Sequence, residues 1–245
     1  MPSPALVQPS ALDSSRFGFA IGRAMLAPGE AARALEEAET LGLDMLIARC
    51  GAGDRATTRS LLDAGALFMD AELHFRGSWP ELRELGSSAA AEIRPAGPGD
   101  EAAVLAVAGE CFRGYGGHYH ADPRLDPAAA DAAYIDWALR CARGDAADVT
   151  LVASVGAEVV GFSGFRLISD EEAQLVLGAV LPSAAGRHLY SRLTLAGAAW
   201  AEVQGRKSLL CVTQLGNLAA QRSWTRVGLQ PSAAFYTFHL WRNQR

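Results

Sequence analysis

From residue 149 to residue 240 the chain alternates strand-like and helix-like stretches in an order that few folds satisfy. Residues 149–154 and 159–166 are apolar, β-rich runs on either side of Val155-Gly156-Ala157-Glu158, which predicts a hairpin. A third strand is expected over 173–181, followed by a helix over 186–203, a strand over 208–213, a helix over 218–227 and a strand over 233–240. A hairpin is antiparallel, whereas strands joined by helices can run parallel. Both connection types in one stretch predict an α/β fold with a mixed sheet.

Upstream the signals are shorter. Strands are expected over 17–25, 44–49 and 70–75, with helices over 28–41 and 55–63, which makes a small α/β unit. The run GSSAAA lacks apolar periodicity and separates helix-like PELREL from strand-like AEIRP, so the expected organisation is a domain over 1–85, a linker over 86–91 and a second domain over 92–245. In the second domain a strand begins at Ile93, Asp100 is the expected N-cap of a helix, and another helix follows Pro127. There is also an internal echo. With Gly65 set on Gly228, Ala71 meets Ala234 and Phe75 meets Phe238, the pattern of a duplication or of any helix, glycine cap and amphipathic strand.

Half of the 245 residues are apolar, enough for one or two cores, and this excludes a fibrous or wholly disordered chain. The four cysteines form no CxxC pair and have no histidine at metal-ligand spacing, so reduced buried thiols and no metal are expected. No basic leader precedes an apolar run, and no run reaches the length of a membrane span, so the expectation is a cytoplasmic protein without membrane contact. The net charge of −5 excludes a global polycation, but it is a cancellation. Residues 173–245 carry +7 and residues 1–172 carry −12. Such segregation fits a phosphate-rich partner held by the carboxyl half.

The runs AVLPSAAGRHLYSRLTLAGAAWAEVQG and LLCVTQLGNLAAQRSWTRVGLQP resemble the GNAT superfamily of acyl-CoA-dependent N-acyltransferases, over about residues 92–241. With the opening Asp13-Ser14-Ser15-Arg16-Phe17-Gly18, the whole chain is similar to the dTDP-fucosamine acetyltransferase type and its amino-sugar relatives. The resemblance implies a GNAT fold preceded by a small GNAT-like domain, with acetyl-CoA or another acyl-CoA as co-substrate. Val180-Leu181-Pro182 would end a strand that splays from its neighbour and pairs with the pantetheine arm, a backbone N–H there would stabilise the oxyanion, and the next helix would offer its N–H groups to the pyrophosphate. Ala185, Gly186, Arg187, His188, Leu189 and Tyr190 match a family turn of the form QGRGIG, of which Gly186 and Arg187 survive. The reading preferred here has Tyr190 and His188 pointing outward with CoA still bound. Asn217 matches the family asparagine on the donor arm and is equally suited to cap its helix.

Trp224 stands where relatives carry a tyrosine that protonates the departing thiolate. Indole cannot deliver that proton, so Tyr190, Tyr236 or water would do so, and Trp224 is either core or a wall for the acyl or acceptor group. Base candidates for the amine are Glu171 and Glu172 near the strand leading to Pro182, and His118 or His120 in GYGGHYHADPRL. Tyr115, His118, Tyr119, His120 and Gln214 are the expected acceptor contacts, against the alternative of a structured aromatic loop; His74 and His239 read as structural. The expected function is N-acyl transfer to a primary amine of a small molecule such as a nucleotide-linked amino sugar or a specialised metabolite. One alternative is an aminoacyl-tRNA-dependent transferase with tRNA on the basic half; another is a degenerate binding module. A homodimer is a further expectation.

Overall fold

The computed structural model describes residues 4–83, 85 and 91–242. In chain order the elements are β1 (Gln8–Pro9), α1 (Ala11–Phe17), β2 (Ile21–Leu26), α2 (Ala31–Thr40), β3 (Met45–Gly51), α3 (Arg55–Asp63), β4 (Leu67–Ser78), β5 (Glu92–Pro95), α4 (Glu101–Cys111), α5 (His118–Ala121), α6 (Pro127–Arg143), β6 (Val149–Val155), β7 (Glu158–Leu167), β8 (Glu172–Val180), α7 (Leu189–Val203), β9 (Ser208–Gln214), α8 (Leu218–Arg226) and β10 (Gln230–Trp241). Short 3₁₀ turns follow β4 and β8. The mixed α/β character expected from the connection types is present: β6, β7 and β8 are antiparallel neighbours, while β8 runs parallel to β9.

The chain forms two compact units that do not follow the expected boundaries. The first comprises Met1–Leu73, Gly116–Ala130 and Ala233–Arg245, and the second His74–Tyr115 and Asp131–Ser232. Of the expected linker over 86–91, residues 86–90 lie outside the described residues. Two segments of the expected second domain, 116–130 and the described residues from 233 to 242, pack with the amino-terminal unit.

The echo between Gly65 and Gly228 has a structural counterpart. The successions β2-α2-β3-α3-β4 and β8-α7-β9-α8-β10 are the same, and the first two strands of each are parallel. Both second helices end at a left-handed glycine, Gly65 at φ 85° and Gly228 at φ 100°. Both ends close with the same pair of bonds: Gly65 N–H to Leu62 and Ala66 N–H to Leu61, Gly228 N–H to Thr225 and Leu229 N–H to Trp224. At Gly228 the requirement is also steric, since a Cβ would lie 2.2 Å from the Glu81 carbonyl oxygen. The third strand of each repeat crosses a unit boundary. Residues 233–241 of β10 belong to the first unit, where Phe235↔Gly51 to Trp241↔Met45 pair antiparallel with β3, and residues 74–78 of β4 belong to the second.

In the first unit Ala24, Leu46, Ala48, Cys50, Leu61 and Phe238 form one apolar cluster with α2 and α3. The second unit packs Val104, Val107, Val152, Phe162 and Leu177 between α4 and the β6–β8 sheet. One local expectation is corrected. Residues 17–25 do not form one strand, because Ser10 caps a helix by accepting from the Asp13 N–H at 3.3 Å, and Gly18 ends it at φ 82° before β2 starts. Asp100 is the N-cap residue of α4, as expected, though its side chain makes no cap bond. Its carboxylate instead takes both Arg94 amino groups at 2.6 and 2.9 Å and the Gly97 N–H, and the Arg94 hydrogen bond holds it down at about 2.

Candidate active site

The site of the second unit begins with a ladder that stops early. Strand β8 pairs with β9 from Glu172↔Ser208 to Leu175↔Cys211, whereas β8 continues to Val180 and β9 to Gln214. Beyond Leu175 only the β7 side of β8 stays paired, through Gly161↔Val180 and Ser163↔Gly178. A cavity of 540 Å³ opens there, lined by Gly178 to Pro182 of the β8 end, Gly186 and His188 to Tyr190 at the start of α7, Asn217 and Arg226 at either end of α8, and Cys111 and Tyr115 from the segment ending α4.

Three features mark the wall of this cavity. Helix α7 starts at Leu189 behind an N-cap residue, His188, whose side chain makes no cap bond to the orphan N–H groups of the first turn. His188 is the only described non-glycine residue with positive φ, at 56°. The family turn has a glycine at that position, and here a side chain occupies the same left-handed conformation at a cost of about 1–2 kcal/mol. His188→Gly should therefore keep the fold and gain up to about 1 kcal/mol in chemical denaturation, the relief of strain being partly offset by a freer unfolded chain. Two arginines, Arg222 and Arg226, complete the wall.

Tyr190 does not point outward. A Cβ on Gly178 would lie 3.1 Å from Tyr190 Cε2, so the ring lies against β8 where only glycine leaves room. Its centroid is 6.1 Å from that of Trp224. Burial, with Cys211 and Tyr115 nearby, pushes the phenol well above its ordinary value, so it stays protonated and can donate but not act as a base. Across the cavity, the Tyr115 hydroxyl donates to Gln214 Oε1 at 2.5 Å and accepts from Asn217 Nδ2 at 3.2 Å. Asn217 Nδ2 also donates to Thr213 at 2.9 Å, while its Oδ1 caps α8 through the Ala220 N–H at 3.2 Å. Both roles expected for Asn217, helix cap and cavity residue, thus coexist.

Other expected residues fall elsewhere. Trp224 is 1% exposed, stacks near Phe75 with centroids 5.5 Å apart and does not line the cavity; it is core. Glu172 opens β8, about 26 Å along the strand from Val180 at the usual rise, and its carboxylate binds Arg76 Nε at 2.8 Å. The end of the strand that splays is the opposite one, which removes the ground for Glu172 as base. Glu171 is exposed and paired with Lys207 at 2.6 Å. Arg187 is exposed and outside the cavity lining, and Gln214 reaches the cavity only through Tyr115. His118, Tyr119 and His120 belong to the first unit, as does Tyr236, whose ring packs edge-on against Phe68. His239, read as structural, is fully buried and bonds His118 and Asp122. Sequence reasoning missed Cys111, Gly178, Arg222 and Arg226. The arginines carried a signal, being four apart on one helix in the basic half, but Cys111 and Gly178 carried none.

The acetyltransferase (GNAT) family pattern matches residues 107–229, half of the chain, and the chain belongs to that family. Among curated proteins it is 31% identical over 150 residues to the spore coat polysaccharide biosynthesis protein SpsD of Bacillus subtilis, covering 61% of this chain and 50% of that protein. The chain thus spans about half the length of the curated relative it matches. Among solved structures it resembles a GCN5-related N-acetyltransferase from Kribbella flavida, with a TM-score of 0.63 at 16% identity over 90% of this chain and 80% of that one. It also resembles a tandem GNAT protein from the clavulanic acid biosynthesis pathway, with a TM-score of 0.59 at 15% identity over 92% and 76%. These identities speak for the fold. No helix among the described residues is long and apolar enough to cross a membrane, and no group of three or more His, Cys, Asp or Glu among them could hold a metal ion.

Proposed function

We propose that the chain is an N-acyltransferase that takes an acyl group from acyl-CoA, acetyl-CoA first, and passes it to a primary amine of a small molecule. The observation that carries this is the early end of the β8–β9 ladder with the cavity at that point. Backbone groups of residues 176–180 are left without a β9 partner, which suits them to pair with the amides of a pantetheine arm. The first-turn N–H groups of α7, with Arg222 and Arg226, suit the phosphates. The fit of these residues to the group rests on that geometry. The likeness to a spore coat polysaccharide protein favours an amine carried on a sugar.

In such a transfer the amine nitrogen attacks the thioester carbonyl, the C–N bond forms, the C–S bond breaks, and the sulfur leaves as thiolate or thiol while the nitrogen loses a proton to water. Trp224 has no part in the last step, being buried core. Tyr190 and Tyr115 are the two phenols that line the cavity, and either can donate a hydrogen bond or a proton to the sulfur. Calorimetry with acetyl-CoA should show micromolar-class binding, about −8 kcal/mol, and thiol release with a panel of amines should fall on Asn217→Ala with folding intact. Absence of heat with every acyl-CoA tried would remove the proposal. Salt-sensitive binding of charged tRNA in its place would favour the aminoacyl-tRNA-dependent alternative.

A further inference from the structure

The sheet of the first unit has two unlike faces. One carries the apolar cluster under α2 and α3. Because side chains alternate along a strand, the other carries Arg23 and Met25 on β2, Ile47 and Arg49 on β3, and Thr237 and His239 on β10, and Glu72 of β4 joins it through its ion pair with Arg49. The parallel register sets Arg23 against Ile47 and Met25 against Arg49, so the two arginines stand diagonally on neighbouring strands. Between them and β1 lies a cavity of 390 Å³, whose lining includes Arg23 and Arg49 as its charged residues, with Gln8, Met25 and Ile47 beside them.

Each guanidinium is fixed from behind. Arg23 Nε donates to Asp13 Oδ2 at 2.6 Å, and its Nη2 donates to the Tyr119 hydroxyl. Asp13 is 1% exposed and also accepts from Tyr119 at 2.7 Å and Ser10 at 2.7 Å. Arg49 Nη2 binds Glu72 Oε1 at 2.7 Å, and its Nε donates to Thr237 Oγ1 at 3.2 Å. In both residues the Nε and Nη2 positions are used, and Nη1 takes none of these bonds. Partly exposed ion pairs of this kind contribute little to stability, and what they do here is hold two guanidiniums in place on the wall of one cavity, with Nη1 outside these bonds.

We infer that the first unit binds an oxyanion, carboxylate or phosphoryl, on a small organic molecule whose apolar part lies on Met25 and Ile47. This ligand site is distinct from the acyl-CoA cavity of the second unit and does not depend on it.

The test uses the full chain with Arg222→Gln and Arg226→Gln in the background, so that phosphate has less to bind in the second unit. Arginine Nε–H resonances are followed while inorganic phosphate, acetate, glucose 1-phosphate and uncharged methyl glucoside are added in turn. The Arg23 and Arg49 signals should move saturably with at least one oxyanion, with a dissociation constant of about 1 mM or below, and stay still with methyl glucoside. Saturation by phosphate or glucose 1-phosphate names a phosphoryl ligand, and saturation by acetate alone names a carboxylate. Arg49→Lys, which keeps the charge and loses the fork, should weaken binding about tenfold. Equal shifts with methyl glucoside, uniform unsaturating shifts over all arginines, or binding unchanged in Arg49→Lys would each overturn the site, and none of these bears on acetyl-CoA binding.

Discussion

Gly178→Ala is expected to lower acyl transfer several-fold, because the Tyr190 ring must give by a few tenths of an ångström and catalytic rates fall steeply with misplacement. Gly178 pairs with Ser163 across β7 and β8, and an added Cβ would lie 2.4 Å from Ser163 Oγ, 3.1 Å from the Phe162 carbonyl oxygen and 3.1 Å from Tyr190 Cε2. The hydroxyl is the closest obstacle, but its removal is simple. The double variant Ser163→Ala with Gly178→Ala relieves that contact and leaves the other two, so its melting temperature should return most of the way to the wild type. Turnover should not return, because Tyr190 is still pushed away from β8 and into the cavity. If the double variant recovers both stability and turnover, the placement of the Tyr190 ring does not matter to the reaction. Ser163→Ala alone, which deletes a buried hydroxyl without a partner, should be close to neutral in both measurements.

The sequence made the succession of elements in the second unit legible because hairpins and crossover helices leave different periodicities. The helix over 55–63 and the start of the helix at Pro127 fell where expected for the same reason. What could not be read was which segments pack together. Residues 116–130 are contiguous with the second unit in the chain, and nothing in their composition says that they return to the first. The same holds for β10, whose first residues belong to one unit and whose remainder belongs to the other. At the site, cavity residues that sit on a motif, such as Val180, Leu181, Gly186 and Asn217, were legible. Gly178 and Cys111 were not, since their role depends on a neighbour brought in by packing: Tyr190 for the glycine, and the Val180 carbonyl, 3.5 Å from the Cys111 sulfur, for the cysteine. Glu172 failed as a candidate because sequence adjacency to a strand hides which end of it opens.

Asp122→Ala should cost about 3–5 kcal/mol in denaturant unfolding, because it strips the acceptor from several buried donors at once. Asp122 is 1% exposed. Its Oδ2 lies 2.7 Å from His239 Nδ1 and accepts from Trp241 Nε1 at 2.9 Å, while its Oδ1 accepts from the Arg124 N–H at 3.0 Å. A carboxylate beside Nδ1 places a proton there, which leaves His239 Nε2 to accept from His118 Nδ1 at 2.9 Å. Burial opposes the charge of Asp122, but the hydrogen bonds from His239, Arg124 and Trp241 outweigh it and hold the carboxyl below 3.8. That stability is present above the ordinary carboxyl range and is lost only in strong acid. His118 acts sooner. Its folded value is depressed below 6.5 by burial, His239 and the two arginines, so the unfolded chain binds more protons and stability falls as pH drops below about 6.5. Urea unfolding at several pH values should therefore be flat above about pH 7 and decline toward pH 5. His118→Gln should flatten that decline, whereas Asp122→Ala should lower the whole curve. A wild-type curve that is level between pH 5 and 7 would mean that His118 is solvated enough to take its proton without loss.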